Sequence, residues 1–180
     1  CKPYPEPVRQ SVPVNGIVPA VGGGEDAARL AVESDCQTIK LKVAEPGEGL
    51  ERDIERVAAI RDALPTAKIR IDANGAWSVK DAIKAIKKLD QVAGGLEYVE
   101  QPCKTVEDLR EVRRKVNVPI AADESIRRAA DPFRVRDLEA ADIAVLKVQP
   151  LGGVRACLRI AEQICMPVTV SSAVETSIGL

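Results

Sequence analysis

Six polar residues recur along the chain at intervals of 23 to 30 residues. They are two lysines, three carboxylates and a serine: Lys42, Asp72, Glu100, Asp123, Lys147 and Ser171. Several of them lie inside apolar runs, whereas residues that cap helices come after such runs and directly before a helix. A single acid at the end of a strand is usually a helix cap or a loop residue, but six polar residues at this regular spacing indicate one common site.

The three carboxylates predict a metal site. Side chains of this charge that meet in one place repel one another and take up protons unless a cation holds them. Asp72, Glu100 and Asp123 offer only oxygen, and the chain contains no histidine. Such a donor set suits a hard ion that keeps open positions for water or substrate, which favours Mg²⁺, with Mn²⁺ as the second choice.

The lysines on either side of the carboxylates predict acid–base chemistry. Because histidine is absent, imidazole bases and Ser-His or Cys-His pairs are excluded, and proton transfer falls to Lys, Asp, Glu, Tyr or Cys. A divalent cation and a second ammonium both make a lysine easier to deprotonate. The pattern therefore favours removal of a proton next to a carboxylate, with a metal that stabilises the resulting enediolate.

Two of the lysines lie on one predicted strand, residues 38–43, in which Lys40 and Lys42 alternate with Ile39, Leu41 and Val43. Side chains alternate between the faces of a strand, so both lysines point the same way. Considered alone, this pair is also typical of an exposed edge strand whose lysines discourage aggregation. The carboxylates that recur at regular spacing further along the chain favour a role for the two lysines in a common site over a role in an exposed edge strand.

The elements that position these residues alternate between strand and helix. The pattern predicts strands over 12–20, 38–43, 68–74, 96–102, 118–124, 142–148 and 167–173, and helices over 25–34, 49–64, 78–92, 105–116, 131–139 and 153–164. The expected N-caps of three helices are Ser78 and Thr105, each with an Asp three residues later, and Asp131, which precedes a proline. Such alternation indicates a parallel α/β fold, either an open doubly wound sheet or most of an eight-stranded barrel. No G-x-G-x-x-G motif follows the first strand, and polar strand ends that converge on one mouth favour the barrel.

Composition limits the function classes. The net charge is −1, and the chain holds one Trp, two Tyr and one Phe, so neither a basic surface nor aromatic stacking points to nucleic acid. No apolar run is long enough to span a membrane and no signal-peptide pattern opens the chain, which favours a cytoplasmic protein. The five cysteines form no C-x-x-C pair, so neither a disulfide framework nor a zinc site is expected.

The beginning of the sequence suggests a fragment. Residue 1 is Cys, and residues 1–11 are rich in proline and polar side chains, as in a linker. We therefore expect residues 1–11 to be a linker or the remnant of a connection to another domain, and residues 12–180 to form an incomplete barrel domain.

Five motifs together resemble one family of enzymes. K-x-K at 40–42, D-x-N at 72–74, E-Q-P at 100–102, A-D-E-S at 122–125 and L-K at 146–147 resemble the enolase superfamily, in the muconate-lactonizing subgroup that uses a lysine on each side of the active site. The lack of histidine excludes the mandelate racemases. Residues 121–128 and 171–177 are similar to o-succinylbenzoate synthases of the actinobacterial type.

This resemblance implies a TIM-like (β/α)8-type barrel, here with about seven βα units and without the capping domain and the end of the barrel that members carry. The implied reaction is the Mg²⁺-dependent syn dehydration of 2-succinyl-6-hydroxy-2,4-cyclohexadiene-1-carboxylate to o-succinylbenzoate, a precursor of menaquinone. A barrel mouth without its cap admits water, so we expect little turnover from the isolated chain.

The resemblance also implies a role for each matching residue. Lys42 would abstract the α-proton and return it to the departing hydroxide, Lys147 would be a fixed cation on the opposite face, and Lys40 would assist Lys42. Asp72, Glu100 and Asp123 would bind the metal, with Asn74 and Glu124 supporting its shell. The surface that holds the substrate carboxylate and tail would comprise Asn74, Gly152, Gly153, Ser171 and Ser172.

Two alternatives stay open at this stage. An N-acylamino acid racemase or a dipeptide epimerase would use the same two lysines to exchange protons without loss of water. A non-catalytic barrel fragment would bind no metal. Incorporation of deuterium from D₂O separates the first alternative from the dehydratase, and a test of Mg²⁺ binding separates the second.

Overall fold

The computed structural model describes residues 9–173 of the 180-residue chain. Residues 9–11, the end of the predicted linker, are exposed and belong to no helix or strand. Residues 1–8 of that linker, Cys1 included, and residues 174–177 of the segment used for the resemblance lie outside the described residues.

Within residues 9–173, seven strands form one parallel sheet in which each strand pairs with the next along the chain, in the order β1 to β7. The strands are β1 (Gly16–Val18), β2 (Thr38–Lys42), β3 (Lys68–Asp72), β4 (Tyr98–Glu100), β5 (Ile120–Ala122), β6 (Ile143–Lys147) and β7 (Val168–Ser171). A sequential all-parallel order is that of a barrel, whereas a doubly wound sheet reverses its order partway. The barrel prediction is therefore confirmed.

A helix follows each of the first six strands. The helices are α1 (Gly24–Glu33), α2 (Leu50–Ala63), α3 (Val79–Ala93), α4 (Val106–Arg113), α5 (Asp131–Asp137) and α6 (Val154–Ile164). Two of them begin at predicted caps: Ser78 Oγ accepts a hydrogen bond from Asp81 N at 3.2 Å, and Thr105 Oγ1 accepts one from Asp108 N at 3.1 Å. Gly94, in the left-handed conformation, ends α3 as its type predicts.

One predicted cap is wrong. The residue before α5 is Ala130, and Asp131 is the first helical residue instead of the cap. The Asp131 carboxylate faces backwards, where Oδ2 accepts hydrogen bonds from Arg127 N and Arg128 N at 2.9 and 2.7 Å. Its side chain is therefore engaged in holding the turn before the helix.

The two faces of the sheet have different environments. Outward-facing residues of the strands, such as Ile39, Leu41, Ile69 and Ile71, are fully buried in the core beneath the helices. Tyr98, Ala121 and Val145 form a separate small cluster on the inward face. Because alternate residues share a face, this cluster lies on the side of the sheet that carries Glu100 and Lys147 and forms an apolar layer beneath them.

The edge-strand explanation of the two lysines is wrong, because β2 lies between β1 and β3 and pairs with both.

Across residues 9–173, no helix is long and apolar enough to cross a membrane. The four cysteines in this range, Cys36, Cys103, Cys157 and Cys165, are free thiols.

Candidate active site

The predicted site residues meet at the carboxyl ends of the strands. Lys42 is level with Asp72 across β2 and β3, and Asp72 is level with Glu100 across β3 and β4. On the other side, Lys147 is level with Ser171 across β6 and β7. Residues that are level across paired strands point to the same face of the sheet, so this register places the side chains in one row.

Lys40 and Lys42 both contact the first carboxylate. Asp72 Oδ2 lies 3.0 Å from Lys40 Nζ and 2.5 Å from Lys42 Nζ, and Lys40 Nζ also lies 2.5 Å from Glu100 Oε1. The Lys40 side chain is 13% exposed and that of Lys42 is 33% exposed. Lys42 is therefore the lysine that a molecule at the mouth can reach more easily.

Asp123 is the corresponding carboxylate on the far side of the row. It follows β5, is 4% exposed, and its Oδ2 accepts a hydrogen bond from Lys147 Nζ at 2.7 Å. Its Oδ1 accepts one from Arg127 at 3.2 Å. The row of carboxylates thus has a lysine at each end, and β3, β4 and β5 lie between the strands that carry Lys42 and Lys147.

Burial and mutual repulsion shape the charge states of this row. Burial raises the pKa of Glu100 to about 7, with a further contribution from the Asp72 carboxylate, although Lys40 acts in the opposite direction. Burial also opposes the charge of Asp72, but Lys40 and Lys42 outweigh it and lower the pKa of Asp72. Burial likewise works against the ammonium of Lys40, yet Glu100 and Asp72 together raise its pKa. Lys40 is therefore held as an ammonium.

Asn74 and Glu124 link the loops that follow β3 and β5. Asn74 Oδ1 accepts a hydrogen bond from Lys42 Nζ at 2.9 Å, and Asn74 Nδ2 donates one to Glu124 Oε1 at 2.9 Å. The second oxygen, Glu124 Oε2, is buried and has no hydrogen-bond partner. These contacts place both residues beside the carboxylate row, and Glu124 Oε2 remains without a hydrogen-bond partner.

The residues predicted to line the substrate surface lie after β6 and at the end of β7. Gly152 and Gly153 both have positive φ angles, 93° and 98°, in the turn that leads into α6. Ser171 is level with Lys147, and its Oγ donates a hydrogen bond to Ser172 O at 3.5 Å. Ser171 therefore lies beside Lys147, and Ser172 follows it directly.

The carboxylates are paired with lysines in this structure. Over residues 9–173, no group of three or more His, Cys, Asp or Glu side chains is arranged to hold a metal ion. The donor set nevertheless fits one: three buried carboxylates at neighbouring strand ends supply only hard oxygen ligands, and burial together with repulsion from Asp72 raises the pKa of Glu100. The unused oxygen of Glu124 adds to this set.

Sequence reasoning assigned no role to two residues that contact the row. Arg127 bridges Asp123 and Glu124, and a basic side chain four residues after an acid in a loop gives no distinctive signal. Gln101 is fully buried directly after Glu100. Its signal is present in the sequence, since a glutamine between a buried strand and a proline needs buried hydrogen-bond partners.

A parallel barrel-type sheet with two lysines, three carboxylates and a further lysine at the carboxyl ends of successive strands defines the class of enolase-type barrels. Residues 24–180 match the family described as enolase C-terminal domain-like, and the chain belongs to this family.

Relatives and solved structures agree with this membership. The chain is 64% identical over 178 residues to an o-succinylbenzoate synthase of Thermobifida fusca, with 98% of this chain and 55% of that protein covered. It is 52% identical over 179 residues to an o-succinylbenzoate synthase of Mycolicibacterium smegmatis, with 99% and 55% covered. The chain thus spans about half the length of these relatives.

A dipeptide epimerase of Enterococcus faecalis, complexed with Mg and the dipeptide L-Leu-L-Tyr, has a similar fold, with a TM-score of 0.78 and 34% identity. The match covers 93% of this chain and 49% of that structure. This structure and the two synthases confirm the resemblance to the enolase superfamily that the five motifs indicated.

Proposed function

We propose that this chain, as barrel domain 12–180, carries the catalytic residues of a Mg²⁺-dependent o-succinylbenzoate synthase. The substrate would be the carboxylate 2-succinyl-6-hydroxy-2,4-cyclohexadiene-1-carboxylate. One observation carries the proposal: a row of buried carboxylates has Lys42 at one end, 2.5 Å from Asp72, and Lys147 at the other, 2.7 Å from Asp123. The similarity to two o-succinylbenzoate synthases supports the choice of reaction.

Asp72, Glu100 and Asp123 would hold Mg²⁺, with Mn²⁺ as a substitute, and Glu124 and Asn74 would support them. When bound, the metal supplies a positive charge beside the substrate carboxylate and so stabilises negative charge that develops there. The solved epimerase in complex with Mg supports this assignment at the level of the family. Binding requires Lys40 and Lys147 to withdraw from the carboxylate oxygens that they contact.

Lys42 would perform the proton transfers. As a neutral amine, its Nζ takes the proton from the carbon next to the substrate carboxylate, and the electron pair of that C–H bond moves toward the carboxylate. In the second step this pair forms the ring double bond as the C–O bond breaks. The ammonium of Lys42 returns its proton to the departing hydroxide, which leaves as water, so both steps occur on one face.

The other cations would fix charge without transferring protons. Lys40, whose ammonium form Glu100 and Asp72 favour, would place a fixed positive charge beside Lys42. Lys147 would place a second ammonium on the opposite face of the substrate. The tail and carboxylate of the substrate would lie against Asn74, Gly152, Gly153, Ser171 and Ser172.

A dipeptide epimerase is the second candidate, because a solved enzyme with that function shares the fold at 34% identity. In this reaction Lys42 and Lys147 would exchange protons from opposite faces of one carbon, and nothing would leave. Incubation in D₂O discriminates the two reactions. Deuterium at the α-carbon with inversion and without release of water favours the epimerase, whereas formation of the aromatic product favours the synthase.

The experiment that tests the proposal follows aromatic product in Lys42→Ala and Lys147→Ala variants of a full-length protein that contains this segment, because we expect little turnover from the isolated chain. General base catalysis contributes about 10²–10⁴-fold to rate, so Lys42→Ala should lose at least that factor. Lys104, which is exposed in the loop before α4, provides the control Lys104→Ala, which should keep full activity. A Lys42→Ala variant as active as the control would contradict the assigned base. A wild-type chain whose stability does not respond to Mg²⁺ would favour the non-catalytic alternative.

A further inference from the structure

Gln101 connects three of the strands that carry the proposed metal ligands. Its backbone N donates a hydrogen bond to Ala121 O in β5 at 2.8 Å, and its backbone O accepts one from Gly75 N, in the loop after β3, at 2.7 Å. Gln101 itself directly follows Glu100 at the end of β4. One residue therefore joins the ends of β3, β4 and β5.

The side chain of Gln101 uses its complete hydrogen-bonding capacity in the loops after β4 and β5. Oε1 accepts from Asp123 N at 3.0 Å and from Ser125 N at 3.1 Å, and Nε2 donates to Cys103 O and Ser125 Oγ, both at 2.8 Å. A glutamine amide has two donors and two acceptor positions, and all four are occupied. The side chain is fully buried, so water does not compete for these groups.

These partners fix the orientation of the amide. The backbone N–H groups of Asp123 and Ser125 can only donate, so they must face Oε1, and the Cys103 carbonyl can only accept, so it must face Nε2. Glu and Leu have nearly the same size as Gln but lack this combination of donors and acceptors. Gln101 also has a φ angle of 39°, a left-handed conformation in which few non-glycine residues occur. Tertiary contacts are what hold the residue in this conformation.

We propose that Gln101 is a positioning residue that sets the separation between Glu100 and Asp123 and so determines the affinity of the site for a divalent cation. This inference rests on the proposed function, since it requires those carboxylates to be metal ligands. Glu100 is bonded to Gln101 through the chain, and the Asp123 amide is bound to the Gln101 side chain. Loss of partners that orient metal ligands typically lowers metal affinity 10- to 100-fold.

A partly buried hydrogen bond at the other end of the same sheet provides the control. Asp142 Oδ2 accepts from Ile120 N at 2.9 Å, which joins the amino end of β5 to the start of β6. Asp142→Leu removes a side-chain link to β5 far from the carboxylate row, whereas Gln101→Leu removes one beside it. Both variants should lose stability, but only Gln101→Leu should lose affinity for the metal ion.

The test is a titration of the purified chain with Mn²⁺, followed by the EPR signal of the free ion. Wild type should bind one Mn²⁺, Gln101→Leu should bind at least about tenfold more weakly, and Asp142→Leu should stay within about threefold of wild type. Gln101→Leu with wild-type affinity would overturn the role of Gln101 alone. Absence of Mn²⁺ binding by wild type would overturn the proposed metal site, and this role with it.

A second measurement on the wild-type chain applies if Gln101→Leu fails to fold. In ¹⁵N NMR spectra, the side-chain amide protons of Gln101 should exchange slowly with solvent, because both are hydrogen-bonded and buried. Their resonances, and those of the Asp123 and Ser125 amides, should shift when Mg²⁺ saturates the site. Resonances that saturating Mg²⁺ leaves unmoved would contradict the proposal.

Discussion

Replacement of Asp72 by Asn separates the contribution of this carboxylate to stability from its contribution to metal binding. Asp72 is 0% exposed and contacts both Lys40 and Lys42. Removal of one partner from a buried ion pair costs about 3–5 kcal/mol when the other charge is left alone. Here Lys40 keeps Glu100, and Lys42 keeps Asn74 and is one-third exposed. We therefore expect a loss of about 2 kcal/mol, below that range.

The response to metal should differ much more. At a concentration of 100 Kd, Mg²⁺ adds about 2.7 kcal/mol to the stability of wild type. A domain of this size gains about 2–4 °C in Tm per kcal/mol, so the expected shift is about 5–10 °C. Loss of one charged ligand weakens binding by at least about 100-fold, and the same Mg²⁺ concentration then adds only about 0.4 kcal/mol, or less than about 2 °C.

Glu97→Gln is the matched control. Glu97 also contacts two cations, Lys68 Nζ at 2.9 Å and Arg70 Nε at 2.5 Å, but at the amino end of the sheet. Differential scanning calorimetry with and without Mg²⁺ should show a wild-type shift for Glu97→Gln and almost none for Asp72→Asn. Equal shifts in the two variants would refute the assignment of Asp72 as a metal ligand.

Three further predictions concern the scaffold. Burial raises the pKa of Cys103 to about 12, so its thiol should resist alkylation in the native chain at pH 8. The exposed thiol of Cys165 should react under the same conditions. Mass-spectrometric mapping that finds both cysteines labelled equally would contradict the burial of Cys103. Burial opposes the charge of Glu97, but Arg70 and Lys68 outweigh burial and lower the pKa of Glu97 below 4.5. The ionised Glu97 side chain therefore contributes fully to stability above pH 4.5, and this contribution is lost as the pH falls through the lowered pKa. The difference in free energy of unfolding between wild type and Glu97→Gln should therefore shrink on acidification, and a difference that grows would show the sign to be wrong. Ser78→Ala should cost about 1 kcal/mol through loss of the cap of α3, measured by urea unfolding, whereas an unchanged midpoint would mean that the cap contributes nothing.

The row of charged side chains could be predicted because successive side chains of a strand point to alternate faces of the sheet. Once Lys42, Asp72 and Glu100 are assigned to successive parallel strands, the register brings them level, and the structure shows this arrangement. The helix caps Ser78 and Thr105 were predictable for a similar reason, since a cap acts within three residues of itself.

Other features depend on contacts between distant parts of the chain. The fourth strand was predicted over 96–102 but is paired only over Tyr98–Glu100, because Gln101 takes a left-handed conformation and turns its side chain toward the loop after β5. The pairing of Lys40 with Glu100, 60 positions later, also had no local signal. A strand pattern gives the face on which a lysine lies, but it does not determine which carboxylate the lysine contacts.

The most direct test of the central claim is the anomalous scattering of Mn²⁺ in crystals of the chain grown with this ion. We expect one strong peak about 2.1–2.2 Å from oxygens of Asp72, Glu100 and Asp123, with Lys40 and Lys147 withdrawn from the oxygens that they contact here. A map with no peak at these carboxylates, and with both lysines still in contact with them, would contradict the claim that this row is a metal-dependent active site.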